Sequence, residues 1–561
     1  MPEIDEKASL ATNRYENEAI DTEEAFSPWD FDKIFDYIGH IGKQQKLYSL
    51  IIYTGAFCAG ANGLAPTFLN YITLNDDKKP VFADNSTHCD NYTKYMDVDT
   101  GKPLNPEDDG GFTKFAENEY FEETVTMKFN LICDREALSE LEKSVYFAGQ
   151  LVSSILAGLI GDNYGRKLPV LLSSILVSIA TIVTAFTESY TIYMICRFFI
   201  SFCIIAGLNC YVMLMELVGP KVREPMGLAV QSAFAFGYIA LSFICMGLTH
   251  YTQLIYILTL INVLPALVYF VVPESSRYLL SRNKIKEAKE ILVNLGKKNG
   301  ASESQINELK KHVDEYSVQS VQNTTKTNDE DSEDRIYSTL DLFRHSKYLT
   351  LSTLQLCFLW GTVSLVFFGI SLNINKMPGN LYVTNTVSGL AEFIAALTLA
   401  PFLVTRYPFK QTLGYTYLAG SAFFLATYLA LIYQTDRDAW ILVTACCFFA
   451  KFFFSATFAI IYNYTAALFP TAIRGNGMSL SSASARFGSV VAPLLMILAI
   501  WIKDTFGCQE VIMLLYMIIG ILSFIVCQGL VEVFGKPMIM SFDDFDRTAR
   551  DQRQNNRLCG F

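Results

Sequence analysis

The sequence predicts an all-α membrane protein with twelve transmembrane helices in two six-helix halves. Of its 561 residues, 51% are apolar and only 18% are charged, which is less charge than soluble proteins carry. The apolar residues fall into twelve runs, each near the roughly 20 residues that a helix needs to cross a bilayer core. A long polar segment separates the sixth run from the seventh. These three observations together favour a multi-pass protein in the lipid bilayer.

The first six runs predict an N-terminal bundle at 47–272. They lie near 47–71, 143–161, 168–187, 190–217, 226–248 and 252–272. The preceding residues, 1–46, are polar and acidic, unlike a signal peptide, which carries a short apolar core. We therefore interpret 1–46 as a cytosolic N-terminal segment.

The polar segment at 273–348 is interpreted as a connector between the two bundles. Six further runs follow near 349–371, 381–404, 411–433, 439–469, 478–501 and 508–532. They predict a C-terminal bundle at 349–532, followed by a cytosolic tail at 533–561. Six spans, a connector and six more spans are typical of transporters built from internal repeats, which bind substrate at the midplane.

The orientation follows from lysine and arginine in the short loops, because the richer side is cytosolic. Three basic residues lie on one side: Lys376, Arg437 and Lys503. The other side holds seven: Arg166, Lys167, Lys221, Arg223, Arg406, Lys410 and Arg474. We therefore expect both termini and the connector in the cytosol.

The long loop at 72–137 is then extracellular, and its sequence agrees with that side. It is acidic and carries two glycosylation sequons, at Asn85 and Asn91. Its two cysteines are Cys89 and Cys133, and an oxidising exterior favours a disulfide between them.

Several function classes are excluded by composition and motifs. The net charge of −11 argues against a nucleic-acid partner, because a phosphate backbone needs a basic surface. We find no P-loop and no metal-binding spacing of cysteine or histidine, so we expect no nucleotide, no metal and no other cofactor. An enzyme is not predicted. The oligomeric state is left open.

The loop between spans 2 and 3 carries the most specific motif. It reads Gly158-Leu-Ile-Gly-Asp162-Asn-Tyr-Gly165-Arg166-Lys167 and resembles the GxxxDxxGRK loop of the major facilitator superfamily. Gly165 suits a tight turn, and we expect Asp162 to face a helix N-terminus. An ordinary basic turn would explain Arg166 and Lys167, but not the glycine and aspartate at this spacing.

Further segments narrow the resemblance to one family. They are Phe129-Asn-Leu-Ile-Cys133-Asp134, Glu216-Leu-Val-Gly-Pro220-Lys-Val-Arg223 and Pro273-Glu274-Ser-Ser-Arg277. With them, nearly the full chain resembles the organic cation, anion and zwitterion (carnitine) transporter family. Sugar porters share the second-to-third-span loop but not the first of these segments. The resemblance implies a polyspecific secondary transporter, which moves small organic ions across the plasma membrane by alternating access.

The family resemblance also implies a cytosolic lock that holds the halves together. In the first half, its residues would be Asp162, Gly165, Arg166, Lys167, Glu216, Arg223, Glu274 and Arg277. In the second half, Arg474 remains, but Thr405, Phe409 and Ala467 stand where the family has charged residues. We therefore expect the lock of the second half to be weakened.

Three charged residues stand at bilayer depth, where charge is costly and therefore functional by default. They are Glu392 in span 8, Lys451 in span 10 and Arg486 in span 11. Arg486 and Lys451 resemble the anion and carnitine branches of the family, because the cation branch has aspartate at the position of Arg486. A guanidinium can hold a carboxylate through two hydrogen bonds. Glu392 can hold an ammonium, and Ala396 stands where the anion branch often has a second lysine.

Acid and base together favour organic cations or zwitterions such as carnitine, with organic anions as the alternative. A structural pair between Glu392 and Arg486 that never meets substrate is also open. So is a transport-dead receptor or scaffold. Aromatic residues suit the cavity of such a site, although core packing explains any one of them equally well. The aromatic candidates are Tyr211, Trp360, Phe367 and Tyr462.

Overall fold

The computed structural model describes residues 31–71, 123–132, 135–326, 341–374, 380–433, 440–470, 473–506, 511–534 and 542–558. Across these ranges the chain is helical, apart from one isolated β-bridge between Glu123 and His250. Twelve of the helices are long and apolar enough to cross a membrane. The prediction of an all-α protein with twelve spans is therefore confirmed.

The spans are numbered here in chain order. Spans 1 to 6 are Lys43–Leu69, Glu136–Tyr164, Lys167–Phe186, Tyr190–Leu217, Pro220–Cys245 and Tyr251–Val271. Spans 7 to 12 are Lys347–Asn373, Leu381–Arg406, Phe409–Tyr433, Ile441–Leu468, Arg474–Ile502 and Val511–Gln528.

Prolines and local changes of helix type mark the start of span 5 and irregular points within spans 6 and 8. Pro220 opens span 5 at the first helical position, where its missing N–H has no helical partner to lose. Pro265 lies in a 3₁₀ turn, Leu264–Ala266, within span 6. Span 8 contains a π-helical turn at Ala395–Leu399, and such turns are frequent at functional sites.

Each half has its own apolar core. Large buried side chains of the first half include Tyr146, Tyr193 and Leu254, and those of the second include Tyr417, Phe454 and Tyr464. Helices that are apolar on most faces can bury one side against neighbours and leave the other to lipid.

Two short segments pack beside the first half at one end of the bundle, which we call the connector end. The connector helix Ile285–Asn299 contacts the N-terminal helix Ile34–Ile38, because Asn299 donates to the Ile38 carbonyl at 3.2 Å. Arg223 donates to the carboxylate of Asp32 at 2.7 Å. This hydrogen bond holds the pKa of the Asp32 carboxyl below its usual range.

The halves meet at the opposite end, which holds Tyr71 and Glu123; we call it the loop end. The rings of Phe147 and Phe368 lie 4.8 Å apart, and Tyr382 donates to the Cys245 carbonyl at 3.1 Å. Ser144 donates to the Val490 carbonyl at 3.2 Å. Spans 2 and 5 therefore contact spans 11 and 8, and the loop end is closed.

The helix Phe542–Leu558 docks on the second half at the connector end. Its Phe545 and Ala549 side chains are buried, and its Asp546 accepts a hydrogen bond from Ser346, just before span 7. Gln552 accepts from the backbone N–H of Glu532 at 2.9 Å and donates to the carbonyl of the same residue. The tail therefore contributes a packed helix to the second half.

We expect Gln552→Ala to lower the thermal unfolding midpoint of the purified protein. The substitution removes both hydrogen bonds to the Glu532 backbone, and each such bond contributes about 0.5–1.5 kcal/mol net. Arg550→Ala is the matched control, because Arg550 is exposed and its 3.7 Å pair with Asp546 is the kind of surface contact that contributes little. Equal midpoints for the two variants would contradict the docking role of Gln552.

Candidate functional site

A buried ion pair lies between spans 8 and 10. The Nζ atom of Lys451 is 3.7 Å from Glu392 Oε2 and donates to Ser388 Oγ at 2.8 Å. Lys451 is 1% exposed and Glu392 is 7% exposed. Ser388 and Glu392 are four residues apart, so they share one face of span 8. Glu392 therefore pairs with Lys451, and the structure does not form the alternative pair between Glu392 and Arg486.

Aromatic rings from both halves enclose the ammonium of Lys451. Its Nζ atom lies 5.1 Å from the ring centroid of Tyr238 in span 5 and 5.2 Å from that of Phe367 in span 7, within the range of a cation–π contact. Tyr238 also donates to Asn385 in span 8. The first half therefore contributes to sealing a pair that belongs to the second half.

Close approach of spans 5 and 8 depends on Gly389. A Cβ at this position would lie 2.6 Å from Ile239 Cγ1, so a larger residue would push the two helices apart. The π-helical turn of span 8 starts at Ala395, three residues after Glu392. The helix of span 8 therefore becomes irregular next to Glu392, which is the only buried acid among the described residues of this span.

Arg486 occupies a different position, at the contact between spans 11 and 2. Its Nη1 atom donates to Gln150 Oε1 at 3.3 Å. Its Nε atom is buried and has no hydrogen-bond partner in the described part of the chain. Arg486 also interacts electrostatically with Tyr462. Because its partner is neutral and one of its N–H groups is unpaired, this guanidinium can donate hydrogen bonds to an anionic group.

The four predicted aromatic residues separate into two layers. Tyr211 of the first half is 39% exposed and lies near Tyr462 of the second. Trp360 is fully buried; its indole donates to Thr465 at 2.9 Å and its ring packs 4.3 Å from that of Tyr462. Phe367 is buried against Lys451. Trp360 therefore supports Tyr462 from behind.

Sequence reasoning missed Phe458, which connects the two charged regions. Its ring lies 5.5 Å from Phe367 and 5.7 Å from Tyr462. Span 10 contains many phenylalanines, so nothing in its sequence distinguishes this one. Gln150 was missed as well, although a polar amide inside an apolar run is a usable signal.

A second set of buried charges, also missed, stabilises the first half at the loop end. Arg197 pairs with Glu142, which accepts from Asn70 at 2.9 Å, and Lys143 pairs with Glu140 at 2.8 Å. These charges have partners inside their own half, as burial in a low-dielectric region requires.

The lock residues of the first half converge at the connector end. Arg166 lies 2.6 Å from Asp162 and 3.6 Å from Glu216. Glu274 accepts from the backbone N–H groups of Arg166 and Lys167 at 3.0 and 3.3 Å. Glu274 therefore caps the N-terminus of span 3. At the N-terminus of span 3 the acid is therefore Glu274 and not Asp162, which pairs with the Arg166 side chain.

Gly165 makes this cap possible. Its φ is +90°, which favours glycine, and a Cβ there would lie 2.6 Å from Glu274 Oε2. The remaining predicted lock residues make other contacts: Arg223 pairs with Asp32, and Arg277 lies 5.3 Å from the ring of Phe31.

The second half keeps the equivalent helix cap but changes the side-chain pairs. Glu532 accepts from the backbone N–H groups of Phe409 and Lys410 at 3.2 and 2.8 Å. Thr405 donates to the Pro401 carbonyl of its own helix at 2.9 Å, and Arg474 donates to the Phe469 carbonyl at 3.3 Å. These contacts are all within the second half.

Four predicted residues lie outside the described ranges: Asn85, Cys89, Asn91 and Cys133. Among the residues that the structure does describe, no group of three or more histidine, cysteine, aspartate or glutamate side chains is placed to hold a metal ion.

Comparison with known proteins gives consistent matches. The profile of the family "Sugar (and other) transporter" matches residues 108–539. The human organic cation/carnitine transporter 2 is 25% identical over 559 residues, which cover 92% of this chain and 94% of the relative. Mouse solute carrier family 22 member 3 is 30% identical over 440 residues, or 76% and 73% of the two chains.

Solved structures show the same fold. The inward-open xylose transporter XylE from E. coli superposes with a TM-score of 0.59 at 13% identity, covering 90% of this chain and 99% of that one. The human organic anion transporter MFSD10 gives a TM-score of 0.51 at 13% identity, covering 86% and 99%.

We expect Lys451→Met and Glu392→Gln each to destabilise the protein by about 3–5 kcal/mol, because each leaves an uncompensated or unpartnered polar group in the bundle. The double variant should recover most of this loss, since both groups are then neutral. The measurement is the thermal midpoint in detergent. Lys284→Gln is the control, because its 3.7 Å pair with Glu287 is exposed. Losses that simply add in the double variant would rule out a coupled pair.

Proposed function

Because the chain belongs to the sugar (and other) transporter family, and within it to solute carrier family 22 of the major facilitator superfamily, we propose that it is a polyspecific secondary transporter of small organic ions. It is a multi-pass membrane protein with twelve spans. The family consists of transporters, so the prediction that the chain is not an enzyme is confirmed.

The observation that carries the proposal is the environment of Arg486. This guanidinium lies where the halves meet, is only partly buried, and keeps a donor without a partner among the described residues. Lys451 neutralises Glu392, so Arg486 supplies the unbalanced charge of the site. A substrate carboxylate would bind Arg486 through charge-assisted hydrogen bonds. Small organic ions that carry a carboxylate are therefore the favoured substrate class.

A zwitterion such as carnitine fits this site best. Its carboxylate would bind Arg486, and its quaternary ammonium would contact the rings of Tyr462 and Tyr211, as cationic groups do with aromatic faces. The name of the human relative, organic cation/carnitine transporter 2, supports this choice. Glu392 is a weaker candidate for the ammonium than the sequence indicated, because an incoming cation would have to displace Lys451.

Organic anions are the second candidate, and the pairing of Glu392 with Lys451 favours them. Because Lys451 neutralises Glu392, this carboxylate neither repels an organic anion nor attracts an organic cation. Tyr211, Tyr462 and Phe458 would then contact the apolar body of the anion.

Transport would follow alternating access, in which bundle 47–272 moves against bundle 349–532 around the midplane site. We place the connector end, with 273–348 and both termini, in the cytosol, and the protein in the plasma membrane. The loop at 72–137 would then be extracellular, with glycans at Asn85 and Asn91 and a disulfide between Cys89 and Cys133. Closure of the loop end corresponds to an inward-facing state.

We expect Arg486→Asp to reverse the charge selectivity of uptake. Uptake of labelled carnitine and para-aminohippurate should fall about 100-fold, because loss of a buried charge partner costs 2–5 kcal/mol. Uptake of tetraethylammonium should rise. The measurement is saturable uptake in oocytes at matched surface expression. Arg486→Lys is the control: it keeps the charge but loses the planar fork, so carboxylate uptake should fall only about tenfold. Unchanged selectivity in Arg486→Asp would remove Arg486 from the site.

The two locks should differ in importance. Arg166→Gln removes pairs with Asp162 and Glu216, and we expect it to cut uptake at least tenfold, because these pairs fix the loop between spans 2 and 3 at the connector end. Arg474→Gln removes a hydrogen bond to the Phe469 carbonyl of its own half, and we expect it to cut uptake far less than Arg166→Gln does. Equal losses in the two variants would refute the asymmetry.

A further inference from the structure

Gln150 lies at the point where Arg486 contacts the first half. Its side chain is 2% exposed, and its Oε1 atom accepts from Arg486 Nη1 at 3.3 Å. The contact joins span 2 to span 11. A second contact joins the same spans: Ser144 donates to the Val490 carbonyl at 3.2 Å. Ser144 lies six residues before Gln150 in span 2, and Val490 lies four residues after Arg486 in span 11. The two contacts thus lie along one antiparallel seam between the halves, with Ser144 nearer the loop end.

The first half holds Gln150 in a fixed position. Gln150 interacts with the hydroxyl of Tyr146, and the guanidinium of Arg197 lies 4.8 Å from the Tyr146 ring. Arg197 is in turn paired with Glu142. These contacts connect Gln150 through Tyr146 to a buried ion pair of its own half, and such polar networks restrict the side chains that take part in them. Contacts within the first half therefore fix the position of the Gln150 amide that binds Arg486.

The hydrogen bond between Gln150 and Arg486 is weak for one that involves a charged group. At 3.3 Å it exceeds the 2.7–2.9 Å that is usual for a guanidinium and a carboxylate, and the amide carries no charge. Because Arg486 Nε is buried, a carboxylate that forms two hydrogen bonds with this guanidinium would take Nη1 and Nη2 and displace the amide from Nη1. The amide oxygen then loses its partner in the second half.

We propose that Gln150 is a positioning residue whose side chain tethers Arg486 across the seam of spans 2 and 11, and that a substrate carboxylate releases this tether. The inference rests on the proposed function, because it takes Arg486 as the group that binds the carboxylate. Release of the tether couples substrate binding to opening of the loop end. Gln150 also sets the apparent affinity, because every carboxylate that binds must compete with it.

The first measurement is uptake kinetics of para-aminohippurate and carnitine. In Gln150→Leu, Arg486 has no competitor, so KM for both substrates should fall about three- to tenfold, the equivalent of one hydrogen bond. In Gln150→Glu, the introduced carboxylate occupies Arg486, so uptake of both should fall at least tenfold. Gln528→Leu is the matched control, because it makes the same change at an exposed position of span 12 and should leave KM unchanged.

The second measurement does not need transport. Ser144 is 4% exposed, so Ser144→Cys should react slowly with a membrane-impermeant maleimide while the seam is closed. Adding Gln150→Leu should raise the labelling rate at least threefold above the Ser144→Cys parent. Para-aminohippurate should raise the rate in the parent, but not in the variant that carries Gln150→Glu.

The outcomes separate this inference from the proposed function. Wild-type KM and wild-type labelling in Gln150→Leu would overturn the tether, and if Arg486→Asp still abolished carboxylate uptake the proposed function would stand. If no protein, including the wild type, took up any probe while Gln150→Leu raised labelling, the tether would stand as a conformational contact and the proposed function would fail.

Discussion

Every charge inside an apolar bundle needs a partner within the protein, and this constraint determines how the site is arranged. The described chain satisfies it for Lys451 by Glu392 and for Arg197 by Glu142. Arg486 differs from Lys451 and Arg197, because its hydrogen-bonded partner is a neutral amide and its Nε atom has no hydrogen-bond partner among the described residues. A permanent acidic partner would neutralise Arg486 and compete with any substrate carboxylate for it. The site therefore keeps one cationic group available at the contact between the halves, where an incoming anion meets both halves at once.

Much of the fold was predictable, because length and apolarity alone specify a membrane span and a polar connector separates the two sets of six. The residues of the first-half lock could also be named from the sequence, since they lie in three short motifs, one of which has a strict spacing. The sequence could not predict which of the distant charged residues pair with each other. Glu392 is 59 residues from Lys451 and 94 from Arg486, and only the packing of spans 8, 10 and 11 decides between them. Gln150 escaped notice for a related reason: an amide acquires a role only from the guanidinium that packing brings to it.

The second half shows how a helix end can be retained while its charged surroundings change. Glu532 caps span 9 as Glu274 caps span 3, so the backbone requirement of an uncapped helix N-terminus persists in both halves. Where the first half has Asp162, Arg166 and Glu216, the second half has Thr405, Phe409 and Ala467. The docked helix Phe542–Leu558 supplies the missing contacts, because Gln552 binds the backbone of Glu532 directly. Loss of charge at the lock and gain of a packed tail helix are thus two parts of one arrangement.

The two seams between the halves differ in what their opening costs. Between spans 5 and 8, Tyr238 covers an ion pair with no net charge and bonds to Asn385, so this contact offers no unpaired charge to a substrate. Between spans 2 and 11, a long hydrogen bond joins Gln150 to a charged group that a carboxylate binds more strongly. A ligand can shift a conformational equilibrium only through a difference in its affinity for the two states. The seam of spans 2 and 11 provides that difference for a carboxylate, and the seam of spans 5 and 8 does not. In the mechanism that we propose, substrate recognition and opening of the loop end depend on the same guanidinium.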